Sequence, residues 1–223
     1  MRTHEDPMQR YWNDIIRDWE DTSYSKSSDA SFIERLAGKF RGHIVDRHHT
    51  CVNDVKKFVG GMTVMEIGCA SGNMCFELLQ NGASKAIGLD IADSAVNAAK
   101  AKAAKLGVPE GKASFFRYTI GEQLPVKEKV DLVVGLGITE YVQPSDLKKF
   151  LQEVNPKYVF ISFDEKVVNM QKIIHFGYRT FKQIPYYKMY SQPEMKELVE
   201  SAGFSSVRTY RDKANAFVTN LPV

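Results

Sequence analysis

The 223-residue chain has no apolar run approaching the ~20 residues needed to cross a bilayer. Its opening, MRTHEDPMQR, lacks the basic and apolar regions of a secretory signal. A cytoplasmic protein with no membrane partner is therefore expected. Cysteine is scarce: Cys51, Cys69 and Cys75 form an odd set without CxxC spacing. Neither a disulfide framework nor a zinc site is indicated, and small buried thiols are expected. Charge of one sign is also scarce, because 30 Lys and Arg against 27 Asp and Glu leave a net +3. No concentrated basic stripe marks a nucleic-acid surface, so nucleic acid is a disfavoured partner. Internal repeats and low-complexity tracts are missing too, and nothing in the sequence sets an oligomeric state.

What is present suits one domain with a helical N-terminal extension, since hydrophobic residues make up 43% of the chain, enough for a full core. Tyr11, Ile15, Ile16 and Trp19 recur at helical spacing over Pro7 to Asp21. A polar linker follows, then a second helical pattern over Ser31–Val45 and a third over His49–Phe58. Gly60-Gly61 closes this part, so residues 1–60 form the extension, a lid, and 61–223 the domain proper.

From Thr63 short apolar strands alternate with helices, the pattern of βαβ units in a parallel sheet covered on both faces. Strands are expected near 63–67, 85–89, 113–118, 130–135, 157–163, 204–210 and 214–219, the last two joined through RDKAN as an antiparallel hairpin. Asp93 or Ser94 opens an alanine-rich helix that closes near Gly107, Ser145 caps 146–153, and SQPE is a capping box whose helix stops at Gly203. The fold class is α/β, with a Rossmann-like, mostly parallel seven-stranded sheet and helices on both faces.

In such a sheet a ligand binds beyond the carboxyl ends of the strands, where the strand order reverses. The stretch TVMEIGCASGNMCFELLQNGASKAIGLD, Thr63 to Asp90, has the parts for it. Gly68 and Gly72 permit a tight turn and a close backbone approach, and Asp90 ends the next strand where a carboxylate can accept bonds from a ribose diol. A dinucleotide fingerprint is not met, because Ala70 and Asn73 stand where its second and third glycines would be, and no Gly-Lys-Ser/Thr of a P-loop follows. Glu66, two residues before Gly68, suits a ligand with a cationic amine better than one with a pyrophosphate.

These residues resemble the first two motifs of class I S-adenosylmethionine-dependent methyltransferases: MEIGCASG, then GLD with its acid 18 positions after Gly72. The similarity extends over roughly 60–220, with VDLVVGLGITEYV at the fourth motif and AGFSSVRTYRDKANAFVTNLP as the closing strand pair. It implies S-adenosylmethionine as cofactor, S-adenosylhomocysteine as product, and no required metal. By position it implies a cofactor site of Glu66, Gly68, Cys69, Ala70, Gly72, Asp90, Ile91, Ile120, Gly121 and Leu136. Glu66 would act on the amino group, Asp90 on the ribose hydroxyls, and Ile91 would pack on the adenine. Ile120 stands where the family often has an Asp for the adenine amine, so that role passes to backbone atoms, Thr119, Glu122 or Gln123. The N-terminal helices and the tail AFVTNLP loosely resemble small magnesium-protoporphyrin O-methyltransferases.

Methyl transfer asks for in-line alignment, exclusion of water and, for some acceptors, a base. Glu140 and Tyr141, after the fourth strand, and His48 and His49 are the catalytic candidates; adjacent helical histidines point in different directions, so one at most faces a site. Residues 163–190 read as an acceptor-side insertion in which Lys166, Lys172, Arg179, Lys182 and Lys188 interleave with aromatics. Cations with aromatics suit an anionic acceptor with a flat body, and His175, Tyr178 and Arg179 are its candidate contacts. The leading expectation is methylation of a small-molecule acceptor at oxygen. The alternatives are an RNA or protein methyltransferase, and a non-catalytic cofactor-binding scaffold. Against RNA, no Asn/Asp-Pro-Pro-aromatic motif follows the fourth strand, where GLGITEYV stands instead.

Overall fold

The alternation of strands and helices is realised in a computed structural model that describes residues 8, 9, 12, 45–167 and 186–222. The strands are β1 (Thr63–Ile67), β2 (Lys85–Asp90), β3 (Ala113–Arg117), β4 (Leu132–Leu136), β5 (Tyr158–Phe163), β6 (Arg208–Asp212) and β7 (Asn215–Thr219). Helix α1 runs through residues 45–55. It is followed by α2 (Asn73–Gln80), α3 (Asp93–Lys105), α4 (Pro144–Val154) and α5 (Gln192–Ser201). All seven strands share one sheet in the order β3-β2-β1-β4-β5-β7-β6. The central pairs are parallel, and β7 runs antiparallel to both β5 and β6. The order reverses between β1 and β4, which directs a ligand to their carboxyl ends.

Alternation along β1 divides the core. Val64 faces a cluster built from Cys51, Val52, Val55 and Val59 together with Met74, Cys75, Leu78 and Ala99, so α1, α2 and α3 cover that side. Met65 and Ile67 face Leu147, Phe150, Leu151, Met195 and Val199, so α4 and α5 cover the other. Glu66 lies one residue from Met65 and, by the period of two, shares the side of Val64, α1 and α2.

Several boundaries differ from the sequence reading, each for a local reason. Helix α1 is already formed at residue 45 and ends at 55 rather than spanning 49–58; inside it Thr50 Oγ1 donates to the Asp46 carbonyl, 2.9 Å, one turn back. Ser145 is not the cap of α4: Gln143 is, and Pro144, with φ preset and no N–H to satisfy, starts the helix. Ala92 caps α3 and Asp93 is its first residue, where a negative charge meets the positive end of the helix dipole. Strand β6 begins at Arg208 rather than 204, because Ser206 takes a left-handed φ of 57 while Phe204 packs into the core from the preceding loop. Strand β4 is displaced to Leu132–Leu136. The capping box is realised: Ser191 N donates to Glu194 Oε2, 2.7 Å, and Glu194 N donates back to Ser191 Oγ, 3.4 Å.

Of the helix expected over Pro7–Asp21, Met8, Gln9 and Trp12 are described, all helical. The pattern over Ser31–Val45 lies outside the described residues except Val45. The insertion 163–190 lies outside them except for its two ends.

Candidate functional site

The turn after β1 is built on left-handed backbone. Gly68 has φ 75, Ala70 φ 45 and Gly72 φ 76. A Cβ on Gly68 would overlap Ile138 Cγ2 from the β4 edge, and one on Gly72 would reach 2.9 Å from Phe115. Gly72 is therefore required by core packing as much as by the turn. Ala70, in place of a glycine, adopts a conformation that costs an L-residue roughly 1–2 kcal/mol. A bond holds it there: Ala70 N donates to Asp90 Oδ2, 2.9 Å.

Asp90 is buried and its other oxygen accepts the Ala92 N–H, 2.9 Å. Burial pushes its carboxyl above the ordinary range, opposed by the N–H groups of Ala92, Ala70 and Ile91. With these three N–H groups on it the carboxylate, which has about four acceptor sites, keeps capacity for a ribose hydroxyl. Glu66 is also buried, and it accepts from Cys75 Sγ, 3.2 Å. Burial pushes this carboxyl up to about 8, against the Cys75 thiol and backbone N–H that favour the anion. Cys69 Sγ would lie 2.8 Å from a Cβ on Gly88, so that glycine of β2 makes room for the thiol. The three cysteines are buried and free.

At the end of β3, Arg117 Nη1 donates to both oxygens of Glu122, 2.8 and 2.7 Å, and Thr119 N donates to Glu122 Oε2, 3.1 Å. Burial raises Glu122, but the Arg117 and Thr119 bonds outweigh it and hold the carboxyl below its usual range. Glu122 is thus committed to shaping the loop of Ile120 and Gly121, where Gly121 takes φ 105. Thr119 Oγ1 is buried with no hydrogen-bond partner among the described residues. Gln9 joins this edge from the N-terminal helix, donating to Asp93 Oδ2, 3.2 Å, and accepting from Arg117 Nη2, 3.3 Å.

Beyond β4, Leu136 ends the strand and Gly137 takes φ 70, its N–H donating to Ser162 Oγ, 2.9 Å. The Arg47 guanidinium of α1 lies over Gly137, and its Nε is buried without a hydrogen-bond partner among the described residues. Thr139–Tyr141 form a single 3-10 turn. Glu140 is buried, accepts from Thr139 Oγ1, 3.2 Å, and through its carbonyl from Lys188 N, 2.8 Å. Tyr141 stands edge-to-face with Trp12, 5.1 Å between centroids, and with Tyr187, 5.4 Å. The Tyr187 hydroxyl donates to Asp164 at the end of β5.

Glu66, Gly68, Cys69, Ala70, Gly72 and Asp90 are thus parts of one bonded turn between β1 and β2. Glu140 and Tyr141 follow β4, and Tyr141 packs against Trp12 of the N-terminal helix. His48 is drawn away from them, with Nε2 2.6 Å from Glu77 Oε2 of α2, and His49 is exposed. His175, Tyr178 and Arg179 lie outside the described residues. Arg47, Gly137, Ser162, Gln9 and Trp12 were not singled out by sequence. The one local signal for them was the glycine just after β4. Among the described residues no group of three or more His, Cys, Asp or Glu could hold a metal ion, and no helix is long and apolar enough to cross a membrane.

Residues 64–156 match the family model described as a methyltransferase domain. A ubiquinone biosynthesis O-methyltransferase from Bradyrhizobium diazoefficiens is 34% identical over 84 residues, 38% of this chain and 31% of that protein. A ribosomal protein L11 methyltransferase from Klebsiella pneumoniae is 36% identical over 77 residues, 34% of this chain and 25% of that one. The matched segment therefore spans about a third or less of these relatives. The magnesium protoporphyrin IX methyltransferase of Synechocystis PCC 6803, solved with bound S-adenosylhomocysteine, has a TM-score of 0.67 at 17% identity, covering 95% of this chain and 96% of that one. At that identity the likeness is one of fold.

Proposed function

From the match of residues 64–156 to a methyltransferase domain, we propose that the chain is a class I S-adenosylmethionine-dependent methyltransferase and methylates an oxygen of a small, anionic acceptor with a flat body. The observation that carries the acceptor class is the aromatic wall of Trp12, Tyr141 and Tyr187 at the carboxyl edges of β4 and β5. The relative named for a ribosomal protein matches over a similar length and at similar identity to the O-methyltransferase, 77 against 84 residues and 36% against 34%. The choice between acceptors therefore rests on the aromatic character of this wall, which suits a flat molecule.

The residues present fit the cofactor. Two buried polar atoms, Arg47 Nε and Thr119 Oγ1, lack partners at the carboxyl edge, and a ligand that supplied an acceptor to each would remove their desolvation cost. Arg47 suits the cofactor's carboxylate and Glu66 its ammonium. Asp90 suits the ribose hydroxyls, Ile91 and Ile120 the adenine faces, and Thr119 an adenine nitrogen in place of the missing acid. When bound, S-adenosylmethionine supplies a methyl carbon already made electrophilic by the sulfonium. The chain's own tasks are to orient, to exclude water and to hold a proton. Glu140 would orient an acceptor hydroxyl, a role that its position just after β4 supports. The helix of Met8, Gln9 and Trp12 would serve as the lid, with Gln9 fastened to Asp93 and Arg117 and Trp12 against Tyr141, whereas α1, expected to belong to the same lid, packs in the core through Cys51, Val52 and Val55.

The test is calorimetric titration with S-adenosylmethionine and S-adenosylhomocysteine, followed by a screen of carboxylated phenols, and of ribosomal protein, for methyl transfer. Turnover of a phenol supports the reading. Cofactor binding with transfer only to protein would overturn the acceptor class and leave the methyltransferase assignment intact.

A further inference from the structure

Glu66 is a carboxyl buried at the cofactor turn among groups that solvate it poorly. Its neighbours across the sheet are Gly88 on β2 and Val134 on β4, neither of which carries a charge or a side-chain donor. On the helical side, α2 presents Cys75, whose backbone N–H and thiol both point to the carboxyl, the thiol at 3.2 Å. Among the described residues Cys51 of α1 and Cys69 of the turn also interact with it, and Asp90 at the end of β2 adds a like charge. A thiol is a weak donor. The first turn of α2 draws negative charge toward it, but one N–H and one thiol are a thin replacement for water around a buried carboxylate.

We propose that Glu66 holds a proton in the cofactor-free protein and gives it up to solvent when the cofactor's ammonium arrives, with Cys75 as the residue that sets this balance. This rests on the methyltransferase reading and goes beyond it by assigning a proton event to cofactor binding. The step balances: the neutral carboxyl loses H+ to water, and the carboxylate then pairs with the ammonium, which keeps its own three protons. Burial, which holds the carboxyl up to about 8, agrees with the geometry. The arrangement makes the site selective. A ligand with a cation at this position is rewarded by an ion pair in a buried setting, whereas one with a neutral group there meets a neutral acid.

The experiment is calorimetry of S-adenosylhomocysteine binding at pH 7.0 in buffers of different ionisation enthalpy, which counts protons exchanged. The full chain is used, with 5′-deoxy-5′-methylthioadenosine, which lacks the amino acid portion, as comparison. Close to one proton should be released with S-adenosylhomocysteine and none with methylthioadenosine. Glu66→Gln should abolish the release. Cys75→Ser, which puts a stronger hydroxyl donor beside the carboxyl, should reduce it by stabilising the anion before the ligand arrives. Binding without proton release in the unaltered chain overturns the proposal while leaving the cofactor assignment standing. Release that persists in Glu66→Gln assigns the proton elsewhere and overturns it as well. Absence of S-adenosylhomocysteine binding by the folded chain would instead overturn the methyltransferase reading on which the proposal depends.

Discussion

The Arg47 guanidinium lies against Gly137, close enough that a Cβ on the glycine would be 2.6 Å from Arg47 Cζ. An N-terminal helix thereby delivers a cation to the carboxyl edge of β4, and the glycine's missing side chain is what admits it. Gly137 also takes φ 70, which a side chain tolerates poorly.

Gly137→Ala should therefore displace Arg47 and strain the loop, at ~1–2 kcal/mol for the backbone alone. Thermal unfolding should show a drop of several degrees, and titration should show weaker S-adenosylhomocysteine binding. Unchanged affinity would mean that Arg47 does not serve the cofactor.

Arg47→Met should weaken S-adenosylhomocysteine about tenfold or more, the scale of a lost charge-assisted bond, and leave methylthioadenosine unaffected. Thr119→Val should weaken both ligands to a similar extent, by a few-fold, because both carry the adenine. A loss confined to one ligand in the second variant would remove Thr119 from adenine recognition.

Asp90 joins two roles, since it accepts the Ala70 N–H and has capacity left for a ribose. Asp90→Ala should cost cofactor affinity at least 100-fold, from hydrogen bonds worth ~1–3 kcal/mol each. It should also lower stability, because Ala70 loses the bond that holds its left-handed conformation. Measured separately, a fall in melting temperature without a fall in affinity would leave Asp90 a purely structural residue.

The pH dependence of stability follows from Glu66. Folding raises its carboxyl from 4.5 to about 8, so between those values the folded chain binds a proton that the unfolded chain does not. Stability of the cofactor-free protein should fall as pH rises through that window, by on the order of a few kcal/mol. Glu194 acts in a separate window: its bonds from Lys166 and Ser191 hold it down to about 2, so its contribution is present above 4.5 and lost as pH falls toward 2. Melting temperature recorded from pH 5 to 8.5 should decline in the unaltered chain and flatten in Glu66→Gln.

Much of the fold was written in local pattern. Alternation placed β1 and β2, Gly68 and Asp90 marked the turn and its acid, and SQPE specified the start of α5, because each depends on residues within a few positions of one another. Phe204 misled the placement of β6, since an apolar residue reads the same whether it enters the core from a strand or from a loop. The insertion of β7 between β5 and β6 is a matter of pairing, which propensity does not encode.

The sequence by itself determined the strand-turn-helix element, its acids and the family they resemble, through spacing that backbone geometry makes binding. The tertiary structure alone decided that Arg47 lies over Gly137, that His48 is taken by Glu77, that Gln9 meets Arg117 from 108 positions away, and that the Cys75 thiol bonds Glu66. Such contacts arise when α1 and α2 pack on one face of β1 and bring sequence-distant side chains within bonding range. No local pattern records that packing, because the energy that fixes it comes from apolar area shared among several elements at once.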